Sequence, residues 1–160
     1  MLTLTLLRHA KSSWDNPVQL DFDRVLNKRG KQNAEEVGQF LKSSSFAVDL
    51  TLCSTAQRTR ETLELVRLNF NPGKVVYEEK IYAASLNALL VLVMEVQNAK
   101  SVLLIGHNPA ITALAEFLSD EKIENIPTSG LVKMEFHAEN WMDILSAKRK
   151  LTLKRFVERD

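Results

Sequence analysis

Two histidines and two arginines of this chain have the types and positions that chemistry at phosphorus requires. Arg8 and His9 follow an apolar run at the start of the chain, Arg58 follows a second apolar run, and His107 follows a third. A neutral imidazole can attack phosphorus, and guanidinium groups bind phosphate oxygens through paired, charge-assisted hydrogen bonds. A protonated second histidine can stabilise charge on the transferring group. Because the cations are protein groups, the predicted reaction needs no metal and no other cofactor.

The elements that must position these residues alternate between strand-like and helix-like segments, without a linker or a repeat. The strand-like segments are residues 2–7, 49–53, 75–77 and 101–105. The helix-like segments are residues 28–42, preceded by the capping residue Asn27 and ended by three serines at 43–45, and then 56–68, 87–98 and 109–118. We predict an antiparallel strand pair over residues 131–136 and 141–146, and we expect the basic tail 148–160 to form a terminal strand or helix.

This order of segments predicts an α/β fold, a three-layer α/β/α sandwich with a mostly parallel sheet and an antiparallel margin. The carboxyl ends of parallel strands lie at one edge of the sheet, where ligands bind in open α/β proteins. The two histidines and two arginines are therefore expected to converge in one pocket. Because the chain has 160 residues and no linker, we expect a single domain over residues 1–160.

Composition argues against several other classes of protein. The chain is 45% hydrophobic and 26% charged with a net charge of +1, which indicates neither disorder nor binding to nucleic acid or a membrane. The longest apolar run, residues 86–96, contains Asn87 and Glu95 and is too short to span a bilayer. The chain has one cysteine, and no basic residues precede the first apolar run. We expect a cytoplasmic protein.

Cys53 raises a second hypothesis, because cysteine phosphatases combine a thiolate with an arginine around a phosphate-binding loop. Arg58 lies too close to Cys53 for such a loop and Arg60 lies too far, and no glycine separates them. We therefore predict that Cys53 is buried in its strand and that Arg60 is a surface residue. His137 follows a strand-like segment among polar residues and is predicted to face solvent.

Three motifs resemble those of a known family. Its opening Arg-His-Gly corresponds to Arg-His-Ala at residues 8–10, and its Ser-Pro-x-x-Arg-x-x-x-Thr element corresponds to Ser-Thr-Ala-Gln-Arg-Thr-Arg-Glu-Thr at residues 54–62. Its late Gly-His corresponds to residues 106–107, which are followed by Asn-Pro. In order and spacing, the chain resembles the histidine phosphatase superfamily, which has the phosphoglycerate mutase-like fold. It is most similar to the small SixA-like phosphohistidine phosphatases of that superfamily.

The resemblance implies a role for each matching residue. His9 is expected to be the nucleophile that is transiently phosphorylated, and His107 to be the second catalytic histidine that faces it. Arg8 and Arg58 are expected to bind the phosphate oxygens, together with His107. These four residues are the catalytic set that the resemblance predicts.

Two departures from the family's pattern concern phosphate binding and the proton donor. Asp15 stands where larger relatives have a phosphate-binding asparagine, so we expect its carboxylate to point away and Asn16 to contact the phosphate instead. Ala83 stands where those relatives have an acidic proton donor, although Glu78 and Glu79 lie nearby in the sequence. A site without an acid favours the imidazole of phosphohistidine as leaving group, because an alkoxide needs protonation.

The predicted function is a metal-independent phosphatase that acts through a phosphohistidine intermediate. Its expected partner is a phosphorylated protein carrying phosphohistidine, rather than nucleic acid or a membrane. Two alternatives stay open. One is a phosphatase for small phosphate monoesters, and the other is a non-catalytic module that binds phosphate in the same pocket.

Overall fold

In the computed structural model, which describes residues 1–157, six strands form one mixed sheet. The strands are β1 (Leu2–Arg8), β2 (Leu50–Ser54), β3 (Lys74–Glu78), β4 (Ser101–Gly106), β5 (Leu131–Phe136) and β6 (Arg149–Arg155). Their order across the sheet is β3-β2-β4-β1-β5-β6. The pairs among β1 to β4 are parallel, and β5 is antiparallel to both β1 and β6. The predicted class, a mostly parallel sheet with an antiparallel margin, is confirmed.

Four helices cover the two faces of this sheet. They are α1 (Lys28–Ser43), α2 (Gln57–Val66), α3 (Leu86–Met94) and α4 (Ala110–Ser119). Because successive side chains of a strand point to opposite faces, β1 contributes to two separate cores. Leu4 and Leu6 pack in the cluster with α3 and α4, whereas Leu7 packs in the cluster with α1 and α2. Because both faces of the sheet carry apolar side chains, helices pack on both faces, and this gives the three-layer α/β/α arrangement.

Helix α1 begins where the sequence predicts. The side chain of Asn27 accepts a hydrogen bond from the backbone N–H of Gly30 at 2.8 Å, which satisfies a donor of the first turn. Ala34, Val37 and Leu41 are buried and place one face of α1 against α2 and the sheet. The cap and the apolar face together fix the position of the helix that follows the β1 loop.

The contact between α1 and α2 depends on the absence of a side chain at Gly38. A Cβ atom there would lie 2.5 Å from the carbonyl oxygen of Val66, at the end of α2. We expect Gly38→Ala to lower the free energy of unfolding by about 1–3 kcal/mol, because the backbones must separate. Urea unfolding measures the change. The exposed neighbour Gln39→Ala is the matched control, and equal stability of the two variants would contradict the prediction.

The expected strand over residues 141–146 is wrong. Residues 141–143 form a short 3-10 turn, in which Trp141 is 2% exposed and its indole N–H donates to the carbonyl oxygen of Ala99 at 2.6 Å. The buried Trp141 ring and its hydrogen bond hold this segment against the core, so the segment does not join the sheet as a strand. The partner of β5 is β6, formed by the basic segment that follows, as one form of the predicted tail. Residues 158–160 of that tail, including Arg159, lie outside the described residues.

Helix α3 also ends earlier than expected, at Met94 rather than near residue 98. The remaining apolar residue of that segment, Val96, packs against the core without continuing the helix. None of the helices within residues 1–157 is both long enough and apolar enough to cross a membrane.

Candidate active site

The structure brings all four predicted catalytic residues together at the carboxyl edge of the sheet. Arg8 ends β1 beside Gly106 at the end of β4, so His9 and His107 leave neighbouring strands side by side. Their ring centroids lie 5.3 Å apart. Arg58 comes from the first turn of α2, after β2. A cavity of about 330 Å³ lies above them, lined by Arg8, His9, Lys11, Ser12, Trp14, Arg24, Arg58, His107, Asn108 and Thr128.

His9 is held in one tautomer. Its Nδ1 lies 2.7 Å from the carbonyl oxygen of Ala10, so Nδ1 carries the proton and donates it to that oxygen. The opposite nitrogen, Nε2, accepts a hydrogen bond from Nε–H of Arg58 at 3.3 Å. The pKa of His9 is lowered to about 3, mainly by burial and also by the nearby His107 and Arg58, although the Ala10 hydrogen bond acts in the other direction. His9 therefore presents a neutral ring with the Nε2 lone pair directed into the site.

Arg58 is oriented by Asp21, a residue of the loop between β1 and α1. Its Nη1 donates to the backbone carbonyl of Asp21 at 2.7 Å, and its Nη2 donates to the Oδ2 atom at 3.1 Å. The Tyr82 hydroxyl donates to the same Oδ2 at 2.6 Å, and Arg24 donates to Oδ1 at 3.2 Å. The Tyr82 hydrogen bond and Arg58 lower the pKa of Asp21 to about 2. The Asp21 carboxylate is therefore ionised. Asp21 holds Nη1 and Nη2 of Arg58, whereas Nε of Arg58 is directed towards His9.

Arg8 is held by the loop that precedes β5. Its Nη1 donates to the carbonyl oxygen of Ile126 at 3.0 Å, and Asn108 donates to the same oxygen at 3.0 Å. Asn108 also accepts a hydrogen bond from Thr112 in α4 at 2.6 Å. The backbone N–H of Ser129 lies 3.1 Å from the carbonyl oxygens of both Arg8 and His9. These contacts hold the Arg8 side chain and the backbone at the end of β1 in place beside the cavity.

His107 lies beside Ser54, the last residue of β2. Its Nε2 is 2.8 Å from the Ser54 hydroxyl, and its ring meets the ring of Tyr82 edge to face at 5.5 Å between centroids. Burial, and then the charge of Arg58, lower the pKa of His107 to about 4, although Asp21 acts in the other direction. The residue is therefore neutral before an anion binds. A phosphoryl group in the cavity raises its pKa, because the negative charge favours the protonated ring.

The structure does not bring Asn16 to the cavity. Asn16 is exposed, and its side chain accepts a hydrogen bond from the backbone N–H of Val18 at 3.2 Å, within its own turn. Asp15 is also exposed, as expected. The cavity is instead lined by Ser12 and Arg24, which lie on either side of this turn in the sequence and whose side chains bond to each other.

Neither of the two glutamates considered as proton donors lines the cavity. Glu78 ends β3, and Glu79 begins the exposed turn that follows it. Ala83, at the position of the acid in larger relatives, is exposed with a φ of 55°. The carboxylate that does approach the catalytic residues is that of Asp21, through its bond to Arg58.

The cysteine hypothesis is not supported. Cys53 is fully buried in β2, and burial raises the pKa of its thiol to about 12. Arg60 lies on the far side of α2, partly exposed, where its Nε donates to the carbonyl oxygen of Thr55 at 2.9 Å and its guanidinium covers the ring of Tyr77. His137 is exposed. A larger cavity of about 1370 Å³ lies at the opposite edge of the sheet and contains no histidine or arginine.

The two buried histidines predict a pH-dependent stability. Unfolded histidine takes up a proton near the ordinary pKa of 6.5, whereas His9 and His107 do so only near 3 and 4 in the folded protein. Between about pH 6.5 and 4 the unfolded state binds more protons, so the free energy of unfolding falls as the pH falls. The slope is up to about 1.4 kcal/mol per pH unit for each histidine. Urea unfolding at pH 7 and pH 5 should show a smaller loss for His9→Asn than for the wild type, and equal losses would contradict this origin.

The two histidines and two arginines around the cavity suit chemistry at a phosphoryl group. Together with the α/β/α topology, this site places the protein among the phosphatases. A family model described as "Histidine phosphatase superfamily (branch 1)" matches residues 4–86. An uncharacterized protein of Mycobacterium tuberculosis is 34% identical over 149 residues, which are 86% of this chain and 91% of that protein. The chain belongs to the histidine phosphatase superfamily.

Solved structures show that the chain is SixA-like within this superfamily. A protein of Agrobacterium tumefaciens assigned as the phosphohistidine phosphatase SixA matches with a TM-score of 0.79 at 35% identity, over 84% of this chain and 91% of that one. A protein of Nakamurella multipartitia with the same assignment matches with a TM-score of 0.84 at 29% identity, over 96% and 95% of the two chains. The predicted resemblance is confirmed.

Proposed function

We propose that this chain is a metal-independent phosphatase that hydrolyses phosphohistidine on a protein, through a phosphorylated His9. The observation that carries the proposal is the state of the His9 ring. Nδ1 is bound to the Ala10 carbonyl, so the reactive lone pair is on Nε2, the nitrogen that faces Arg58. A neutral, oriented imidazole of this kind is ready to attack phosphorus without first losing a proton.

Arg8 and Arg58 supply the positive charge that such a reaction needs. Both line the cavity beside His9, and each is held by protein oxygen atoms, at Ile126 and Asp21 respectively. Guanidinium groups positioned before the reaction stabilise charge on the phosphoryl oxygens without reorganising. His107 lines the same cavity, and the negative charge of a bound phosphoryl group favours its protonated ring and raises its pKa from about 4. The proposed reaction therefore proceeds without a metal ion.

The leaving group is inferred from the groups around the cavity. Among residues 1–157, no aspartate or glutamate lines it. Asp21 has a pKa of about 2 and is ionised at neutral pH, so it has no proton to donate. An alkoxide leaving from an ester needs a proton donor, whereas a phosphohistidine protonated on its ring leaves as a neutral imidazole. This supports a P–N bond as the bond that is cleaved.

The proposed reaction has two steps. In the first, Nε2 of His9 attacks phosphorus, a new N–P bond forms, and the P–N bond of the substrate breaks with its electron pair returning to the protonated substrate imidazole. In the second, water attacks phospho-His9. Its oxygen bonds to phosphorus, the N–P bond of His9 breaks, and phosphate and neutral His9 are released after loss of the water's protons to phosphate and solvent.

The test compares substrates that differ in the bond to be cleaved. We expect kcat/KM for a protein phosphorylated on histidine to exceed that for glucose 6-phosphate and 3-phosphoglycerate by about 100-fold or more, the scale of one missing proton donor. Faster turnover of the sugar phosphates would favour the small-molecule phosphomonoesterase instead. Binding of inorganic phosphate without turnover of any of these substrates would favour the phosphate-binding module.

A further inference from the structure

The segment between β1 and α1 forms a loop that is closed at its base. Ser12 and Leu26 pair in an isolated antiparallel bridge, and the backbone N–H of Ser13 donates to the carbonyl oxygen of Val25 at 2.8 Å. The two ends of residues 14–24 therefore lie side by side, and the residues between them form a compact surface loop. We call residues 14–24 the β1–α1 loop.

Four large apolar side chains of this loop are exposed to solvent, and Phe22 is the least exposed of them at 37%. Trp14 is 72% exposed, Val18 is 88% exposed and Leu20 is 71% exposed. A single exposed apolar residue on a protein surface needs no explanation, but several on one short loop mark a surface used for interaction. The loop is not loose, because Asp21 and Arg24 within it are bonded to the body of the protein.

The β1–α1 loop is continuous with the catalytic cavity. Trp14 lines the cavity and lies flat against Arg24, whose central carbon is 3.2 Å from the centroid of the Trp14 ring system. Asp21 joins the loop directly to Arg58 at 3.1 Å. A molecule resting on the exposed side of the loop therefore lies at the rim of the site that holds His9.

The size of the cavity decides which kind of molecule can use this surface. Val18 and Leu20 are not among the residues that line the cavity of about 330 Å³, so a small phosphorylated compound inside it does not reach them. When a phosphohistidine of a folded protein enters the cavity, the neighbouring residues of that protein lie at the rim. Exposed charges of both signs surround the apolar residues, with Asp15 and Asp23 in the loop and Lys11 and Lys28 beside it, so the surface suits a partner with an apolar patch bordered by charged residues.

We infer that the β1–α1 loop is the docking surface for the histidine-phosphorylated protein, with Val18 and Leu20 as its apolar contacts outside the cavity. This inference rests on the proposed function and extends it, because it assigns recognition of the protein to a surface separate from the catalytic residues. Val18 and Leu20 contribute to binding of the protein and nothing to the chemical step.

The experiment measures two substrates with one pair of variants. Val18→Ser combined with Leu20→Ser removes the apolar surface at positions that bury little in the free protein. Leu68→Ser combined with Val91→Ser is the matched control, since both residues are exposed on other elements. The substrates are free phosphohistidine and several proteins of known structure phosphorylated on surface histidines with phosphoramidate. The protein that the wild type hydrolyses with the highest kcat/KM is used for the comparison.

We expect the loop variant to lose about tenfold or more in kcat/KM on the phosphorylated protein, mainly through KM, with unchanged kcat/KM on free phosphohistidine. The control variant should match the wild type on both substrates. Equal losses on both substrates, or no loss on either, would overturn the docking surface. Dissociation of a wild-type dimer by the loop substitutions, seen by light scattering, would show instead that a second copy of the chain covers the loop.

The same measurements separate this inference from the proposed function. If the wild type hydrolyses free phosphohistidine but none of the phosphorylated proteins, the protein substrate is wrong and the docking surface is excluded with it. If the wild type hydrolyses the protein and the loop variant does so equally well, the docking surface alone is wrong.

Discussion

His9→Ala is expected to abolish the phosphorylated enzyme and to lower kcat by at least about 10³-fold, the scale on which removal of a catalytic nucleophile acts. The physical reason is that His9 has an Nδ1 proton held by the Ala10 carbonyl, which leaves its lone pair on Nε2 at the cavity, where the 3.3 Å hydrogen bond from Arg58 orients it. His107 does not have this arrangement, because no described residue accepts a hydrogen bond from its Nδ1, whereas its Nε2 lies 2.8 Å from the Ser54 hydroxyl. Without Nε2 of His9, no atom of the enzyme accepts the phosphoryl group, so the first step of the proposed reaction does not occur.

Rapid quenching with a labelled phosphohistidine protein measures this result. The wild type should yield an adduct that is labile in acid and stable in base, as expected of a phosphorylated imidazole nitrogen. His137→Ala, which alters an exposed histidine away from the cavity, is the control and should retain the adduct and full turnover. An adduct of the same lability in His9→Ala would show that another residue is the nucleophile.

Arg58→Lys is expected to lower kcat/KM by about 10²-fold or more, although the charge is kept. Arg58 contacts His9 through Nε and Asp21 through both terminal nitrogens at once. A lysine has all its N–H groups on one nitrogen, so it cannot reproduce the three separate donor positions with which Arg58 reaches His9 and the two oxygens of Asp21. Part of the loss should appear in the affinity for inorganic phosphate, because one guanidinium edge for phosphate oxygens is removed.

The matched control is Arg60→Lys, two residues along the same helix. Arg60 lies outside the cavity and bonds to Thr55, so its replacement should change kcat/KM less than about twofold. Competitive inhibition by phosphate measures the affinity in each variant. An Arg58→Lys enzyme as active as Arg60→Lys would remove Arg58 from phosphate binding.

The elements with strong periodicity or a capping residue are those that the sequence predicts well. Asn27 fixes the start of α1, and the apolar runs that become β1 and β4 place Arg8 and His107 at one edge of the sheet. The segment around Trp141 shows the opposite case. Its apolar residues suit a strand, but the hydrogen bond from Trp141 to Ala99 depends on a residue far away in the sequence. Local patterns carry no information about such a contact.

The same limit applies to the candidate site. The four predicted residues lie at the ends of strands or in the first turn of a helix. Their position in the sequence is therefore enough to predict that they meet at one edge of the sheet. Asp21 and Tyr82 lie in irregular segments and meet only through the tertiary structure, 61 residues apart in the sequence. Neither shows a periodic pattern or a motif that would single it out. Asn16 failed to reach the cavity for a local reason, because its side chain is used within its own turn.

The hydrogen bond from His9 to the Ala10 carbonyl has a consequence for how this enzyme can evolve. The acceptor is a main-chain oxygen, which every amino acid at that position possesses. A single substitution can therefore exchange a side chain around the cavity but cannot delete the atom that sets the imidazole tautomer. Mutational drift can thus change the side chains around this site while the His9 tautomer is kept, because the path of the backbone at the end of β1 sets it.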